Sequence, residues 1–158
     1  MNYRKRLLKS DVQSIKEILK STNFFYDDEV ELTGELAEEN LNKGEKESGY
    51  SFIMVENDNE PIAFACFGKT PCTIDSFDLY WIAVHQKQKG KGVGKMLMKQ
   101  VEEEILASKG RKIWIETAGR ALYHPTRMFY ENYGCKKIAV LPDFYADGDD
   151  KVVYLLMV

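Results

Sequence analysis

Apolar positions along the chain change period several times, and each change marks an element. Val12, Ile15, Ile18 and Leu19 recur at helical spacing behind Ser10-Asp11-Val12-Gln13, where Ser10 as N-cap and Gln13 three residues on form a capping box. This predicts a helix of about ten residues, preceded by a short strand over Arg4 to Leu8. A second helical face, Val30, Thr33, Ala37 and Leu41, ends in loops at Gly44 and Gly49. Three extended runs follow, Tyr50 to Glu56, Pro61 to Phe67 and Leu79 to Val84. The first two are joined by the turn cluster Asn57-Asp58-Asn59-Glu60 and read as an antiparallel hairpin. Lys91 to Leu106 carries Val93, Met96, Leu97, Val101 and Ile105 on one face, the most regular helical stripe in the chain. Lys112 to Thr117 is a short apolar strand. Pro125 suits the first position of a helix opening at His124-Pro125-Thr126, and Gly134 closes that helix as C-cap. Strands over about Cys135 to Val140 and Lys151 to Met157 flank a polar loop from Pro142 to Asp150.

The order is therefore strand, two helices, three strands, helix, strand, helix, two strands. A strand-helix-strand crossover in the middle implies one parallel pair, and the remaining strands pair antiparallel. The expected fold class is α/β, with a mixed, mostly antiparallel central sheet of about seven strands and about four helices. No linker or repeat divides the 158 residues, so 1–158 is expected to be one domain.

Composition narrows the function classes. With 44% hydrophobic and 30% charged residues the chain builds a core and is not a disordered segment. No run approaches the roughly 20 apolar residues that span a bilayer, and the charged start Met1-Asn2-Tyr3-Arg4-Lys5-Arg6 lacks the apolar centre of a secretory signal. The expectation is a cytoplasmic protein with no membrane partner. Cys66, Cys72 and Cys135 show no Cys-x-x-Cys pairing, and His85 and His124 form no zinc-ligand cluster, so no metal is expected. The net charge of −3 argues against a nucleic-acid partner.

That average conceals a local exception. Gln88-Lys89-Gly90-Lys91-Gly92-Val93-Gly94-Lys95 follows an apolar strand and opens the most regular helix. A glycine-rich turn there lets backbone N–H groups approach a phosphate, and the helix N-terminus adds roughly half a positive charge. Lys87, Lys89, Lys91 and Lys95 crowd the same turn. A P-loop is excluded, since Lys89 stands where its first Gly belongs and Met96 where its hydroxyl belongs. The spacing of Gly90, Gly92 and Gly94, and their place past mid-chain, also depart from a dinucleotide fingerprint.

Lys89-Gly90-Lys91-Gly92-Val93-Gly94, after Tyr80-Trp81-Ile82-Ala83-Val84, resembles the acetyl-CoA motif of the GNAT superfamily of N-acyltransferases, Gln/Arg-x-x-Gly-x-Gly/Ala, with Lys89 in place of Gln or Arg. Phe129-Tyr130-Glu131-Asn132-Tyr133-Gly134-Cys135 resembles a second signature, Tyr-x-x-x-Gly-Phe, with Cys135 in place of Phe. The element order matches the superfamily along essentially the whole chain. The segment Asp143 to Asp150 also resembles a loop found in one subgroup of GNAT proteins.

The resemblance implies an acetyl-CoA-dependent N-acetyltransferase that moves an acetyl group to a primary amine by direct transfer in a ternary complex. A non-catalytic CoA-binding regulatory module is the alternative. The resemblance assigns Ile82, Ala83 and Val84 to main-chain contacts with the pantetheine arm, and Lys89, Gly90, Lys91, Gly92, Val93, Gly94 and Lys95 to the pyrophosphate. It also makes the main-chain N–H of Ile82 the donor to the thioester carbonyl, and Tyr130 the group that protonates the departing sulfur or hydrogen-bonds to it. Thr126 and Arg127 share the helical face of Tyr130 and are candidate CoA neighbours, Arg127 equally an ion-pair partner within the fold. An acceptor like a lysine amine, pKa ~10.4, must lose a proton at a cost of roughly 4 kcal/mol near neutral pH. Glu116, in the apolar strand Ile113-Trp114-Ile115-Glu116-Thr117, is the candidate base or water positioner, with Asp78 behind it. Acidic residues gather in two other places, Asp27 to Glu39 and Asp143 to Asp150, which suggests a cationic small-molecule or peptide amine as acceptor. Monomer and homodimer both remain open.

Overall fold

The computed structural model describes residues Met1–Val158. In chain order the elements are β1 (Asn2–Arg4), α1 (Asp11–Ser21), α2 (Asp27–Ser48), β2 (Ser51–Asn57), β3 (Glu60–Lys69), β4 (Ser76–Val84), α3 (Val93–Ala107), β5 (Lys112–Ala118), α4 (His124–Tyr133), β6 (Lys136–Ala146) and β7 (Asp149–Met157). Short 3₁₀ turns at Gln86–Gln88 and Ala121–Tyr123 precede α3 and α4. The strands form one seven-stranded sheet in the order β1-β2-β3-β4-β5-β7-β6. β4 and β5 are the parallel pair, as the crossover through α3 requires. The mixed sheet and four helices match the architecture expected from the sequence. No helix is long and apolar enough to cross a membrane.

The chain forms two compact units, Met1–Gly68 with Trp81–Glu104, and Lys69–Tyr80 with Ile105–Val158. In the first, β2 pairs antiparallel with β1 and β3. Phe52, Met54, Phe64 and Cys66 point from one face of β2 and β3 into a core with Ile15, Ile18, Leu19, Val30 and Ala37 of α1 and α2. The intervening Ile53, Val55, Ala63 and Ala65 are equally buried, so both faces of these strands are covered. α2 runs 22 residues with a break at Gly44 (φ 81°, ψ 170°) and ends on the left-handed Gly49, the two glycines expected to stop it.

In the second unit β7 lies between β5 and β6, antiparallel to both. Ile113 and Ile115 alternate inward from β5, and Val152, Tyr154 and Leu156 do so from β7. β6 is the outer strand and is exposed over most of its length. Its lysines, its irregular register and Pro142, which has no N–H to offer, are devices that discourage pairing with another strand.

Beyond shifts of a few residues at strand ends, three features differ from the sequence expectation. The first strand is Asn2–Arg4 rather than Arg4 to Leu8, because Arg4 turns its guanidinium to Asp11 and the chain bends after it. The capping box does not form: Ser10 is helical and makes no side-chain cap, and Gln13 bonds Glu17 instead. Asp11 takes over at the helix start. Its buried carboxylate accepts Leu8 N at 2.6 Å and both terminal nitrogens of Arg4 at 2.6 and 3.0 Å, while Arg4 Nε also reaches Glu56 at 3.0 Å. The hydrogen bonds to Asp11 drive the Arg4 pKa further up. Asp11→Ala removes one of the two carboxylates that hold Arg4 and the acceptor of the Leu8 amide, and is expected to cost about 2–4 kcal/mol in urea unfolding. Asp11→Asn, which still accepts a hydrogen bond, is expected to cost less.

The third difference is the segment Pro142 to Asp150, which is a hairpin rather than a loop. β6 and β7 run into an Asp147-Gly148 turn with Gly148 left-handed, the hairpin dipeptide that the polar composition masked. Leu141 pairs Lys151 and Ala146 pairs Asp149, so Pro142–Tyr145 bulges out of register. Asp143 secures the bulge: its N–H donates to Asp150 at 2.9 Å, and its carboxylate accepts Gly148 N at 2.8 Å.

Candidate active site

In the first unit, the end of β4, residues 81–84, leads into the glycine-rich loop. The parallel pairing of β4 with β5 runs from Ser76↔Lys112 to Leu79↔Ile115, and Ile82, Ala83 and Val84 lie beyond its end. Ala83 is buried in the core, with Ile82 and Val84 partly exposed. His85 N donates to Ile62 O at 2.8 Å and Gln86 N to Ser21 Oγ at 3.0 Å, which anchors the strand end to β3 and α1. His85 Nδ1 then accepts Lys87 N, closing the 3₁₀ turn.

Gly90 and Gly92 follow with φ of 77° and 79°, a backbone that side chains other than glycine rarely adopt. A Cβ at either position would meet nothing within 4 Å, so the requirement for glycine is conformational and the space beside the backbone is open. Met96 N donates to Gly92 O at 3.1 Å as the first helical bond of α3. The amides of Val93, Gly94 and Lys95 therefore lie in the first turn, where no preceding carbonyl is placed to accept them. Left-handed glycines, open space and unengaged helix amides are what a pyrophosphate needs.

The lysines are not equivalent. Lys91 Nζ donates to Gln88 Oε1 at 3.0 Å, which braces the turn. Lys89 Nζ lies 4.7 Å from the centroid of the Phe24 ring, and burial lowers its pKa. Phe25, adjacent to Phe24, packs edge-on against Trp81 of β4 at 5.3 Å. The aromatic run after α1 thus supports the loop through Lys89 and the strand through Trp81. Lys95 is exposed at the helix start.

In the second unit, Tyr130 is 6% exposed and projects from α4 between Phe129 (5.5 Å, edge-on) and Tyr154 of β7 (5.7 Å, tilted). Burial raises its pKa strongly, with Cys135 and Tyr154 adding to the shift, so the phenol is fully protonated at neutral pH. Arg127 is committed to the fold: its Nη1 donates to Ala118 O at 2.8 Å and Arg120 O at 2.9 Å, tying α4 to the end of β5. These partners are backbone carbonyls, not the carboxylate of the ion pair that the sequence reading set beside the CoA role. Thr126 is partly exposed on the same turn.

Glu116 sits on the same face of β5 as Trp114, as alternation requires, but it is exposed and forms an ion pair with Lys151 Nζ at 2.8 Å. Lys151 in turn lies 3.9 Å from the Phe144 ring centroid on the β6 bulge. Asp78, the runner-up, accepts a hydrogen bond from Thr70 Oγ1 at 2.7 Å. The acidic residues of the hairpin are mostly spent internally, Asp143 and Asp150 on the bulge and Asp149 on Arg120 N at 3.1 Å.

One residue beside Tyr130 escaped the sequence reading. Tyr154 is fully buried, and its hydroxyl donates to Glu131 Oε1 at 2.9 Å. The available signal was a tyrosine in the inward stripe Val152, Tyr154, Leu156, where a buried hydroxyl demands a partner.

The left-handed glycines at the start of α3 in the first unit give it the form of an anion-binding helix start. The chain belongs to the acetyltransferase (GNAT) family, whose model matches residues 12–135. No curated protein matches it in sequence. A solved structure of a GNAT-family protein from Desulfovibrio desulfuricans is 37% identical, with 99% of this chain and 98% of that one covered at a TM-score of 0.96. An aminoglycoside 6'-N-acetyltransferase complexed with coenzyme A shares the fold at 17% identity, TM-score 0.79, covering 99% and 97% of the two chains. The ribosomal-protein-S18-alanine N-acetyltransferase of Escherichia coli does so at 17% identity, TM-score 0.75, covering 99% and 93%.

Proposed function

We propose that residues 1–158 act as one N-acetyltransferase domain that transfers an acetyl group from acetyl-CoA to a primary amine by direct attack in a ternary complex. The observation that carries this reading is the pair of left-handed glycines, Gly90 and Gly92, opening α3 beside empty space. Acetyl-CoA supplies an acetyl group activated as a thioester. The amides of Gly92 to Lys95, with Lys91 and Lys95 nearby, hold the pyrophosphate, and the main chain of Ile82 to Val84 holds the pantetheine arm. The Ile82 N–H steadies the carbonyl oxygen.

Tyr130 acts at the sulfur as a hydrogen-bond donor. An unperturbed phenol (pKa ~10) is already about 1.5 units weaker an acid than a thiol (~8.5), so full proton transfer costs about 2 kcal/mol, and burial of Tyr130 increases that cost. A donated hydrogen bond stabilises the leaving thiolate without the transfer. Glu116 is assigned to positioning a water that accepts the amine proton. A carboxylate held in place by Lys151 has lone pairs free to accept hydrogen bonds from such a water.

The acceptor is read as a cationic amine, from the run of carboxylates at the start of α2 and from the acceptors named for the aminoglycoside and S18 enzymes. Free-thiol release from acetyl-CoA is the test, across polyamine, aminoglycoside, lysine-type and neutral amines. Turnover is expected with at least one cationic primary amine. Binding of CoA with no thiol release from any amine overturns the transferase reading in favour of a CoA-binding module, and preference for neutral or anionic acceptors overturns the cationic one.

A further inference from the structure

Tyr130 has two degrees of freedom that matter to its role, the placement of α4 and the orientation of its own ring. Tyr154 acts on both. Its ring packs against Tyr130 at 5.7 Å, and Phe129 makes a second, edge-on contact at 5.5 Å, so the phenol has two aromatic neighbours. Its hydroxyl donates to Glu131, the residue that follows Tyr130 on α4. Glu131 is also paired with Lys137 of β6 at 3.4 Å. β7 therefore grips α4 at the residue beside Tyr130, while Arg127 grips the helix one turn earlier through Ala118 O and Arg120 O. The left-handed Gly134 (φ 111°) and the bond from Cys135 N to Tyr130 O at 2.9 Å fix the helix end.

The chemistry of the pair suits a rigid support. Tyr154 is fully buried and Glu131 partly exposed, so the hydroxyl has given up water for a single charged acceptor. The hydrogen bond from Tyr154 holds the Glu131 carboxyl below its ordinary pKa, and burial pushes the Tyr154 hydroxyl up to about 12. Donor and acceptor are thus in the right protonation states throughout the neutral range. Tyr154 is fully buried and acts through Tyr130 rather than on substrate.

We infer that Tyr154 and Glu131 form a positioning pair that fixes the Tyr130 phenol for its role at the departing sulfur. The inference rests on the role proposed for Tyr130. A hydrogen-bond donor to a leaving group works only when held within about half an ångström of its place, and a ring freed to rock loses part of that effect without losing the fold.

The test is a double-mutant cycle on the full chain, read as steady-state acetyl-CoA turnover with the best amine. Tyr154→Phe keeps the ring and removes the bond. It is expected to lower kcat by about five- to tenfold, with tenfold corresponding to about 1.4 kcal/mol, and to leave the KM for acetyl-CoA within about twofold of the parent. In the Tyr130→Phe background the same substitution is expected to change kcat by less than about twofold, because the group being positioned is gone. Glu131→Gln, whose amide oxygen still accepts, is expected to recover most of what Glu131→Leu loses. An equal fall in both backgrounds, an undiminished kcat for Tyr154→Phe, or a matching rise in KM overturns the inference. If Tyr130→Phe itself leaves turnover unchanged, the role proposed for Tyr130 fails first, and that outcome is read separately from the cycle.

Discussion

Tyr130→Phe is expected to lower acetyl-CoA turnover roughly 10- to 150-fold and to leave the affinity for CoA within about twofold. The expected size follows from what is removed. A hydrogen bond to a charged partner contributes about 1.5–3 kcal/mol, which at about 1.4 kcal/mol per decade spans 10- to 150-fold. The bond is strongest when the sulfur carries charge, so the loss falls on kcat and not on binding. The ring stays in place between Phe129 and Tyr154, and Phe fills the same volume, so the fold is retained. Because burial keeps the phenol protonated, no limb in the pH profile between about 6 and 9 is assigned to Tyr130. Steady-state kinetics with CoA titration by calorimetry measures both quantities. Turnover equal to the parent removes Tyr130 from the reaction.

Gly92→Asp is expected to weaken CoA binding at least 100-fold. The substitution meets no clash, since the space around a Cβ at Gly92 is open, and Asp tolerates the left-handed backbone at a cost of about 1 kcal/mol. The protein therefore folds. The new carboxylate lies beside the first amides of α3, where the pyrophosphate is proposed to sit. Two like charges about 5 Å apart repel by about 3 kcal/mol at an effective dielectric of about 20. Gly92→Asn carries the same backbone cost without the charge and separates the two effects: its affinity is expected to fall by no more than about tenfold. Undiminished binding to Gly92→Asp in calorimetry overturns the cradle.

The loop and Tyr130 were legible because both are local. Gly90 and Gly92 sit between an apolar strand and the most regular apolar stripe, and their backbone angles are those the glycines implied. Pro125 and Gly134 bracket α4 as expected. The misread elements share a different cause, in that each depends on a partner distant in sequence or on a turn hidden by polar composition. Ser10 is a plausible cap until Arg4, anchored by Glu56 of β2, fixes Asp11 instead. Pro142 to Asp150 reads as a loop until Lys151 and Asp149 are found paired with Leu141 and Ala146.

Side-chain commitments follow the same division. The order of elements and the mixed sheet were readable from periodicity, glycine and proline, which act within a few residues, and the family from the resemblance of the 89–94 and 130–135 motifs. Only the tertiary structure decided what those side chains do: Arg127 bonded to two backbone carbonyls, Glu116 ion-paired with Lys151, Lys89 over Phe24, and Tyr154 bonded to Glu131 beside Tyr130. A charged or hydroxyl group takes whichever complementary partner the folded chain brings within about 3 Å, and which partner arrives is a property of strand register and helix placement that no local pattern encodes.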